Sequence, residues 1–363
     1  MLYAGVGTCY YINCHTFIGR TRAHNTAEVH FNNISWQTDA IGFETGATKT
    51  NTHGESPEQE DIKHCYANPW KPWTCLFLAL GSYLAVRPGT PTHDRLFTGK
   101  SPQKTFAEAL GNAFADKEFT DMLDARGIAW RHIAIHSSRK GSSTFAASGS
   151  TNCPLITAIC LRSGWSLGDL LKRYLRSAAA GDQFLGRVLA GLPQNSARFS
   201  VLPPQFNAQD SAAQTRVHET ISRAFPQHKA YGSRMKPVLH YLAAALVHHR
   251  HWIDLNLDPT HPLKRIPLFK DDVFLSESAK IMYSFPLYPE FQEVPAIQTA
   301  DPLPTDAVPT PVVNPSGQLF KPLHATGIPP HIYLLCVIRT QAIQGQVSAQ
   351  HFRWVQGQVS AQH

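Results

Sequence analysis

The sequence lacks a long hydrophobic run, a secretion signal and a cysteine framework. No apolar stretch approaches the roughly 20 residues that a membrane-spanning helix needs. The first residues, MLYAGVGTCYYINC, have no basic segment followed by a continuous apolar one. The seven cysteines are odd in number and contain no Cys-x-x-Cys spacing. These absences argue against a disulfide-rich scaffold and a membrane-spanning chain, and they favour a reducing compartment.

Charge of one sign is not abundant either. Lys and Arg total 33 while Asp and Glu total 26, so the net charge is +7 in a chain of 363 residues. Many proteins that never contact DNA are as basic, so this charge fits a polyanionic partner without requiring one. Hydrophobic residues make up 43% of the chain, which predicts a packed core. The length allows one large domain with a smaller one or a tail.

The first part of the chain predicts a small sheet. Short strands are expected within residues 22–36, 40–45 and 63–69. In the first of them, Val29, Phe31 and Asn33 share one face, although the alternation is imperfect. The Asn, Gly and Pro residues of 48–58 indicate a turn between the second and third strands. Lys49 is therefore expected near the tip of a β-hairpin.

Apolar residues at helical spacing dominate the rest of the chain up to about residue 255. Helices are predicted over residues 75–86, 101–119, 137–149, 154–164, 166–181, 216–225 and 237–255, with a last short one over 327–343. In the fourth, Leu155, Ile156 and Ile159 are expected on one buried face. Ser166 resembles an N-cap for the fifth, and the Ala-Ala-Ala-Gly run is expected to end it at Gly181.

The segment from His136 to Tyr174 combines four chemically distinctive side chains. Arg139 follows His136 by three residues, and Tyr174 follows Trp165 by nine. A Tyr hydroxyl, with a pKa of about 10, becomes a nucleophile only when its proton is removed or its anion is stabilised. Guanidinium groups bind phosphate through paired hydrogen bonds, His transfers protons, and a Trp N–H is a further donor. The set predicts attack by Tyr174 on a DNA phosphate, without a metal.

Each of these residues also has a plainer explanation. Tyr174 lies on the apolar face of its predicted helix, Trp165 can pack in a core, and Arg139 can be solvated beside Lys140. Taken singly, these explanations outweigh catalysis. The joint spacing favours catalysis, because few packing patterns require His-x-x-Arg, then Gly-Trp, then Tyr nine residues later.

The same residues resemble the tyrosine recombinase (phage integrase-like) family, and most of all the Crypton-type recombinases of eukaryotic mobile elements. The pattern of that family is Arg, Lys, His-x-x-Arg, His or Trp, and Tyr. The segments RKGSSTFAASG, AICLRSGWSLG and AAGDQFLGRVLAGLP are similar to that eukaryotic branch. The resemblance identifies His136, Arg139, Trp165 and Tyr174 with the last four positions of the pattern.

The first two positions of the pattern lie upstream. RAHNTAEVHFNNISWQTDAI resembles the segment that carries the first Arg, which is Arg22 here, with Arg20 as the alternative. KTNTHGE resembles the β-hairpin that carries the catalytic Lys, which is Lys49 here. The close resemblance covers roughly residues 16–195 and continues more weakly beyond.

The resemblance implies a mechanism for these six residues. Tyr174 attacks a DNA phosphate in line, which forms a 3′-phosphotyrosyl bond and releases a 5′-hydroxyl. Lys49 protonates the leaving oxygen, and His136 assists proton transfer. The non-bridging oxygens are held by Arg22, Arg139 and Trp165. A 5′-hydroxyl of a partner strand reverses the step, so strands are exchanged without hydrolysis.

The resemblance also implies a fold and a division of the chain. The expected class is mixed α+β and mainly helical, that of a recombinase catalytic domain with a small β-hairpin sheet, over residues 1–195. A helical C-terminal extension (196–285) and a Pro-rich linker with a low-complexity tail (286–363) follow; the tail contains QGQVSAQH twice. Few residues precede Arg22, so the N-terminal clamping domain of the family is expected to be missing.

The expected partner is double-stranded DNA, with self-association on the DNA, in the nucleus, and with no membrane contact, metal or small-molecule cofactor. Two alternatives remain open. The chain is a catalytically inactive, truncated remnant of a mobile-element recombinase that binds DNA or protein, or it is an unrelated basic helical protein in which Tyr174 is only a core residue.

Other candidate sites are weaker. The pair His132 and His136, and a cluster of His248, His249 and His251, suggest zinc, but no Cys or carboxylate stands at a ligand spacing. Exposed helical His is the plainer explanation of both. The aspartates Asp39, Asp94 and Asp182 are scattered, with no pattern of paired carboxylates.

Overall fold

The structure is a computed structural model. It describes residues 29–44, 62–87, 95–97, 101, 102, 104, 107, 108, 111, 117–124, 135–148, 152–163 and 179–283. The predicted Pro-rich linker and tail (286–363), the last short helix within it and most of the predicted helix 166–181 lie outside these residues. So do Phe106, Leu110 and Phe114, which define the apolar face of the predicted helix 101–119.

A three-stranded antiparallel sheet forms near the start of the described chain. Its strands are β1 (Ile34–Trp36), β2 (Ile41–Glu44) and β3 (Ile62–Cys65), in that order across the sheet. Ile34 pairs with Phe43, and Phe43 pairs with Lys63 on its other side. The three predicted strands and the β2–β3 hairpin are confirmed.

The predicted alternation before β1 is wrong. Phe31–Asn33 form a 3₁₀ turn, and β1 begins only at Ile34. Tertiary contacts explain the difference: the Leu96 N–H donates to the Val29 carbonyl at 2.7 Å, and the Phe31 ring packs edge-on against Tyr231 at 5.1 Å. The chain therefore turns to bury one aromatic ring instead of continuing an extended strand.

Helices make up most of the described chain, so the mixed, mainly helical class is confirmed. They are α1 (Leu76–Val86), α2 (Lys117–Asp124), α3 (Ile135–Ser148), α4 (Ile156–Ser163), α5 (Ala179–Leu189), α6 (Ser211–Ala224), α7 (Met235–His248), α8 (Arg250–Asn256) and α9 (Asp272–Lys280). A short antiparallel pair, β4 (Gln205–Phe206) and β5 (Met282–Tyr283), joins the end of the described chain to the segment after α5.

Two helix predictions need correction. Gly181 does not end a helix but lies in the first turn of α5, and the positive φ that ends this helix occurs at Gly191 (74°). At the start of α4, Leu155 and Ile156 are exposed (76% and 60%), so only Ile159 of the three apolar residues predicted on the buried face is buried. A short helix at the edge of the core buries one stripe, and these two residues lie before and at its first turn.

Two further boundaries differ from prediction in the C-terminal half. Helix α6 begins at Ser211, because the Asp210 carboxylate accepts a hydrogen bond from the Ala213 N–H at 2.7 Å. The predicted helix 237–255 is divided into α7 and α8, since His249 leaves the helical region at φ −92° and ψ 11°.

One hydrophobic core joins the sheet to the C-terminal helices. Helix α7 packs against both α1 and β1, and Trp36 stacks on Tyr241 with ring centroids 3.5 Å apart. Buried residues from Val29 to Leu275 form a single cluster. The predicted division near residue 195 stays a prediction, and the described residues on its two sides share this core. None of the described helices is long and apolar enough to cross a membrane.

Candidate functional site

The six residues of the predicted site differ in how far the structure reaches them. His136 and Arg139 both lie in α3, one turn apart, but their side chains are outside the described part. The other positions, Arg22, Lys49, Trp165 and Tyr174, and the alternative Arg20, also lie outside it. The structure describes the helices and strands that adjoin, in sequence, the segments with Lys49, Trp165 and Tyr174.

Helix α3 lies against the two helices that flank the segment with Trp165 and Tyr174. It packs against α4 and α5, and these two pack against each other. The Ser143 and Ser163 hydroxyls are 3.4 Å apart across the α3–α4 contact. A small cavity lies among the three helices, with Ser142, Ser143 and Arg162 in its wall.

The β2–β3 hairpin is the element that carries Lys49. Residues 45–61 connect Glu44, the last residue of β2, to Ile62, the first of β3. Glu44 is buried and forms an ion pair with Arg234 at the start of α7. The base of the hairpin is therefore fixed to the helical core.

A buried charged network joins the sheet to α4 and α5. Arg162, in the last turn of α4, is only 2% exposed. Its guanidinium donates to the Asp182 carboxylate at 2.8 Å and to the Asp182 and His64 carbonyls at 3.2 and 3.1 Å. The fork thus binds one residue of α5 and one of β3 at the same time.

Asp182 completes the network from the first turn of α5. Its second carboxylate oxygen accepts from the His64 backbone N–H at 2.8 Å and lies 3.0 Å from the His64 Nδ1. Burial alone raises the pKa of Asp182, but the Arg162 charge and the His64 hydrogen bonds outweigh it and lower the pKa to about 2. The carboxylate is therefore ionised at neutral pH, and its partners are matched to that charge.

The network lies where α5 approaches the sheet most closely. A Cβ added at Gly186 would stand 2.3 Å from the His64 carbonyl oxygen and 3.1 Å from the Tyr66 ring. Beside it, burial raises the pKa of the Cys65 thiol to about 12, although the Arg162 charge opposes this. Cys65 is thus protonated and poorly nucleophilic, and its role is packing.

A second ion pair ties α5 to the turn between β1 and β2. The Arg187 guanidinium binds the Asp39 carboxylate and stands over the Tyr66 ring, 4.2 Å from its centroid. It also donates to the Phe199 carbonyl at 3.3 Å. Together with the Arg162 network, this pair fixes the orientation of α5 on the sheet.

Sequence reasoning missed the residues of this network. Asp182 and Asp39 appear scattered in the sequence, yet each pairs with an arginine, and His64 stands 118 residues from Asp182. Arg162 stands three residues before Trp165, inside the segment that resembles the recombinases. That position on a predicted apolar helix was the one available signal of a buried charge.

The histidines considered as zinc ligands have no further ligands beside them among the described residues. No group of three or more His, Cys, Asp or Glu side chains is arranged there to hold a metal ion. His248 contacts the Pro69 carbonyl at 3.0 Å, and burial lowers the pKa of both His248 and His249. Both are neutral at pH 7. His132 lies outside the described residues.

Comparisons with known proteins provide no relative for this chain. No protein-family model matches the sequence, no curated protein matches it, and no solved structure matches the fold.

Proposed function

We propose that the protein is a tyrosine-type DNA strand transferase, a recombinase that cuts and rejoins DNA through a 3′-phosphotyrosyl intermediate. Tyr174 is the nucleophile and Lys49 protonates the leaving 5′-oxygen. Arg22, Arg139 and Trp165 bind the scissile phosphate, and His136 transfers protons. Double-stranded DNA is the substrate, the protein self-associates on it, and the nucleus is the compartment in which it acts.

One observation carries this proposal beyond the sequence pattern. The His-x-x-Arg pair lies on α3, and α3 packs against α4 and α5, the two helices on either side of the segment with Trp165 and Tyr174. Four of the six predicted positions thus lie on α3 or in the chain segment between α4 and α5. The proposal requires this proximity, and the three helices, which follow one another in the described chain, meet the requirement.

The hairpin supports the proposal independently. Strand β3 packs against α5, so the connection with Lys49 returns to the sheet at a strand that contacts one of these helices. A Lys on a hairpin connection and an Arg on a helix are suited to different tasks, since one donates a proton to a leaving group and the other stabilises charge on the phosphorus oxygens.

Covalent capture of DNA tests the proposal. The probe is a pool of nicked duplexes with a randomised central sequence, in which a short 5′-hydroxyl fragment diffuses away after cleavage. We expect the wild-type chain to form a protein–DNA complex that resists detergent, with EDTA present, because guanidinium groups neutralise the phosphate. Tyr174→Phe should bind DNA with similar affinity and capture none. DNA binding without capture by the wild type would favour the inactive remnant instead.

A further inference from the structure

We propose that the buried Arg162–Asp182 ion pair is a positioning device for the catalytic segment, anchored on the sheet through His64. Resting on the proposed function above, the inference assigns these three residues to the geometry of phosphoryl transfer and not to contact with the DNA. They are positioning residues for the nucleophile and its phosphate ligand.

The pair joins the two ends of the segment that carries Trp165 and Tyr174. Arg162 stands one residue before the end of α4, and Asp182 is the fourth residue of α5. Their side chains meet at 2.8 Å, so the two described residues on either side of 164–178 are held together. Fixing the ends of a chain segment reduces the conformations that its interior can adopt. For a nucleophile, fewer conformations mean more time in the attacking geometry.

His64 fixes this contact relative to the sheet. Its backbone N–H donates to Asp182 at 2.8 Å, while its carbonyl accepts from Arg162 at 3.1 Å. Both members of the pair are thereby bonded to the same residue of β3, the strand that follows the Lys49 connection. The segment with the general acid Lys49 and the segment with the nucleophile Tyr174 are therefore both flanked by residues of this one hydrogen-bonded set.

The third element, α3, lines a cavity together with one member of the pair. Arg162 lies in the wall of the small cavity that Ser142 and Ser143 of α3 also line. These serines follow Arg139 by one turn on the helix with the His-x-x-Arg pair. Arg162 therefore lies where α3, α4 and α5 face one another.

Stability alone does not account for a charged pair at this place. Removing two charges from water is costly, and buried ion pairs are often replaced by apolar residues of similar volume with no loss of stability. An apolar pair would fill the space but would not fix direction. A guanidinium fork does, because it holds a carboxylate and two carbonyl groups at defined angles. A phosphoryl-transfer site requires such fixed orientations, because the nucleophile and the phosphate must be aligned.

The decisive variant replaces the charged pair by an apolar one, Arg162→Met with Asp182→Leu. Arg162→Lys, which keeps the charge and loses the fork, is a second variant for the case in which the first does not fold. Leu246→Ala is the matched control, since it removes a fully buried side chain of α7 and destabilises the same core. The probe is one nicked duplex that the wild type has selected from the randomised pool.

Three quantities are measured on the full chain: the single-turnover capture rate at saturating DNA, the affinity for uncleaved DNA, and the melting temperature. We expect the apolar-pair variant and Arg162→Lys to capture roughly 10- to 100-fold more slowly, with affinity within about threefold of the wild type. The Leu246→Ala control should lower the melting temperature and leave the capture rate unchanged.

Each outcome decides the matter. A wild-type capture rate in the folded variants overturns the positioning role and leaves the proposed function intact. Slow capture that appears equally in Leu246→Ala assigns the effect to stability and also overturns it. If the wild type itself captures no DNA, the proposed function fails, and the positioning role fails with it.

Discussion

Asp182 is the residue whose environment departs most from what its sequence context suggests. It is surrounded by a guanidinium, an imidazole and a backbone N–H, all of which favour the charged form. Its pKa is lowered from 3.8 to about 2 despite burial. A carboxyl group with a lower pKa in the folded state stabilises that state above its unfolded pKa, and the contribution is lost as the pH falls through the folded value.

We expect acid to weaken the fold through this carboxyl group. The shift corresponds to about 2 kcal/mol of unfolding free energy at neutral pH, lost between about pH 4 and pH 2. Chemical denaturation at pH 6, 4 and 2.5 measures it, in the wild type and in Asp182→Asn. The difference in unfolding free energy between the two should shrink as the pH falls. A difference that stays constant over this range would show that the charge of Asp182 is not coupled to folding.

At the residue scale, the sequence predicted candidates but not their partners. The sequence predicted a helix over residues 137–149, and α3 (Ile135–Ser148) confirms that helix. No periodicity relates Arg162 to Asp182, because the two stand on different helices and meet only after the chain folds back. Long-range ion pairs of this kind are set by tertiary packing, which a single sequence does not display.

At the scale of elements, the contact between α5 and β3 depends on a glycine in the helix. Gly186 has no side chain, and this allows the helix backbone to reach the His64 carbonyl. The residue is helical, so glycine is costly here by roughly 1 kcal/mol in helix propensity. The close approach of the two backbones explains why glycine occupies this position despite the cost in helix propensity.

Gly186→Ala should therefore destabilise the protein, whereas Gly181→Ala on the same helix should not. A Cβ at Gly186 meets backbone at 2.3 Å, and relief requires α5 to move from the sheet by enough to cost roughly 1–3 kcal/mol. At Gly181 the nearest atom is the Ala158 Cβ at 3.4 Å, so the substitution gains helix propensity. Thermal unfolding of both variants measures the difference. Equal melting temperatures would contradict the close contact.

The elements that the sequence predicted well are those with a strong local pattern. The hairpin of β2 and β3, the buried α1 and the apolar α7 follow from alternation, turn residues and helical spacing. Helix α5 was missed because its glycines suggested an end at Gly181, while the helix actually ends at Leu189, two residues before the positive φ of Gly191. Gly186 serves close packing and Gly191 adopts a positive φ, and the sequence alone does not distinguish these two uses of glycine.

At the scale of the whole molecule, the core joins parts that the sequence separated. Leu242 and Leu246 of α7 are fully buried, and α7 packs on α1 and β1. The Cβ position of Gly81 in α1 lies 3.1 Å from the Leu242 carbonyl oxygen, so the two helix backbones are close. The sheet, from which the predicted Lys49 connection extends, therefore depends on residues that lie after 195.

We expect a fragment of residues 1–195 not to fold by itself. Without α7, the apolar faces of α1 and β1 lose their cover, and Trp36 loses the stacking partner Tyr241. A fragment of residues 1–285 serves as the control and should fold. Circular dichroism and thermal melting of the two fragments measure this. A cooperative melt of the shorter fragment would show that the core divides near 195.

Identification of the residue that becomes linked to DNA tests the account most directly. After capture of the nicked duplex, the complex is digested with nuclease and protease, and mass spectrometry locates the remaining nucleotide. The account predicts a 3′-linked nucleotide on Tyr174 and on no other residue. A nucleotide on a different side chain, or a wild-type chain that binds the duplex and never becomes linked to it, would contradict it.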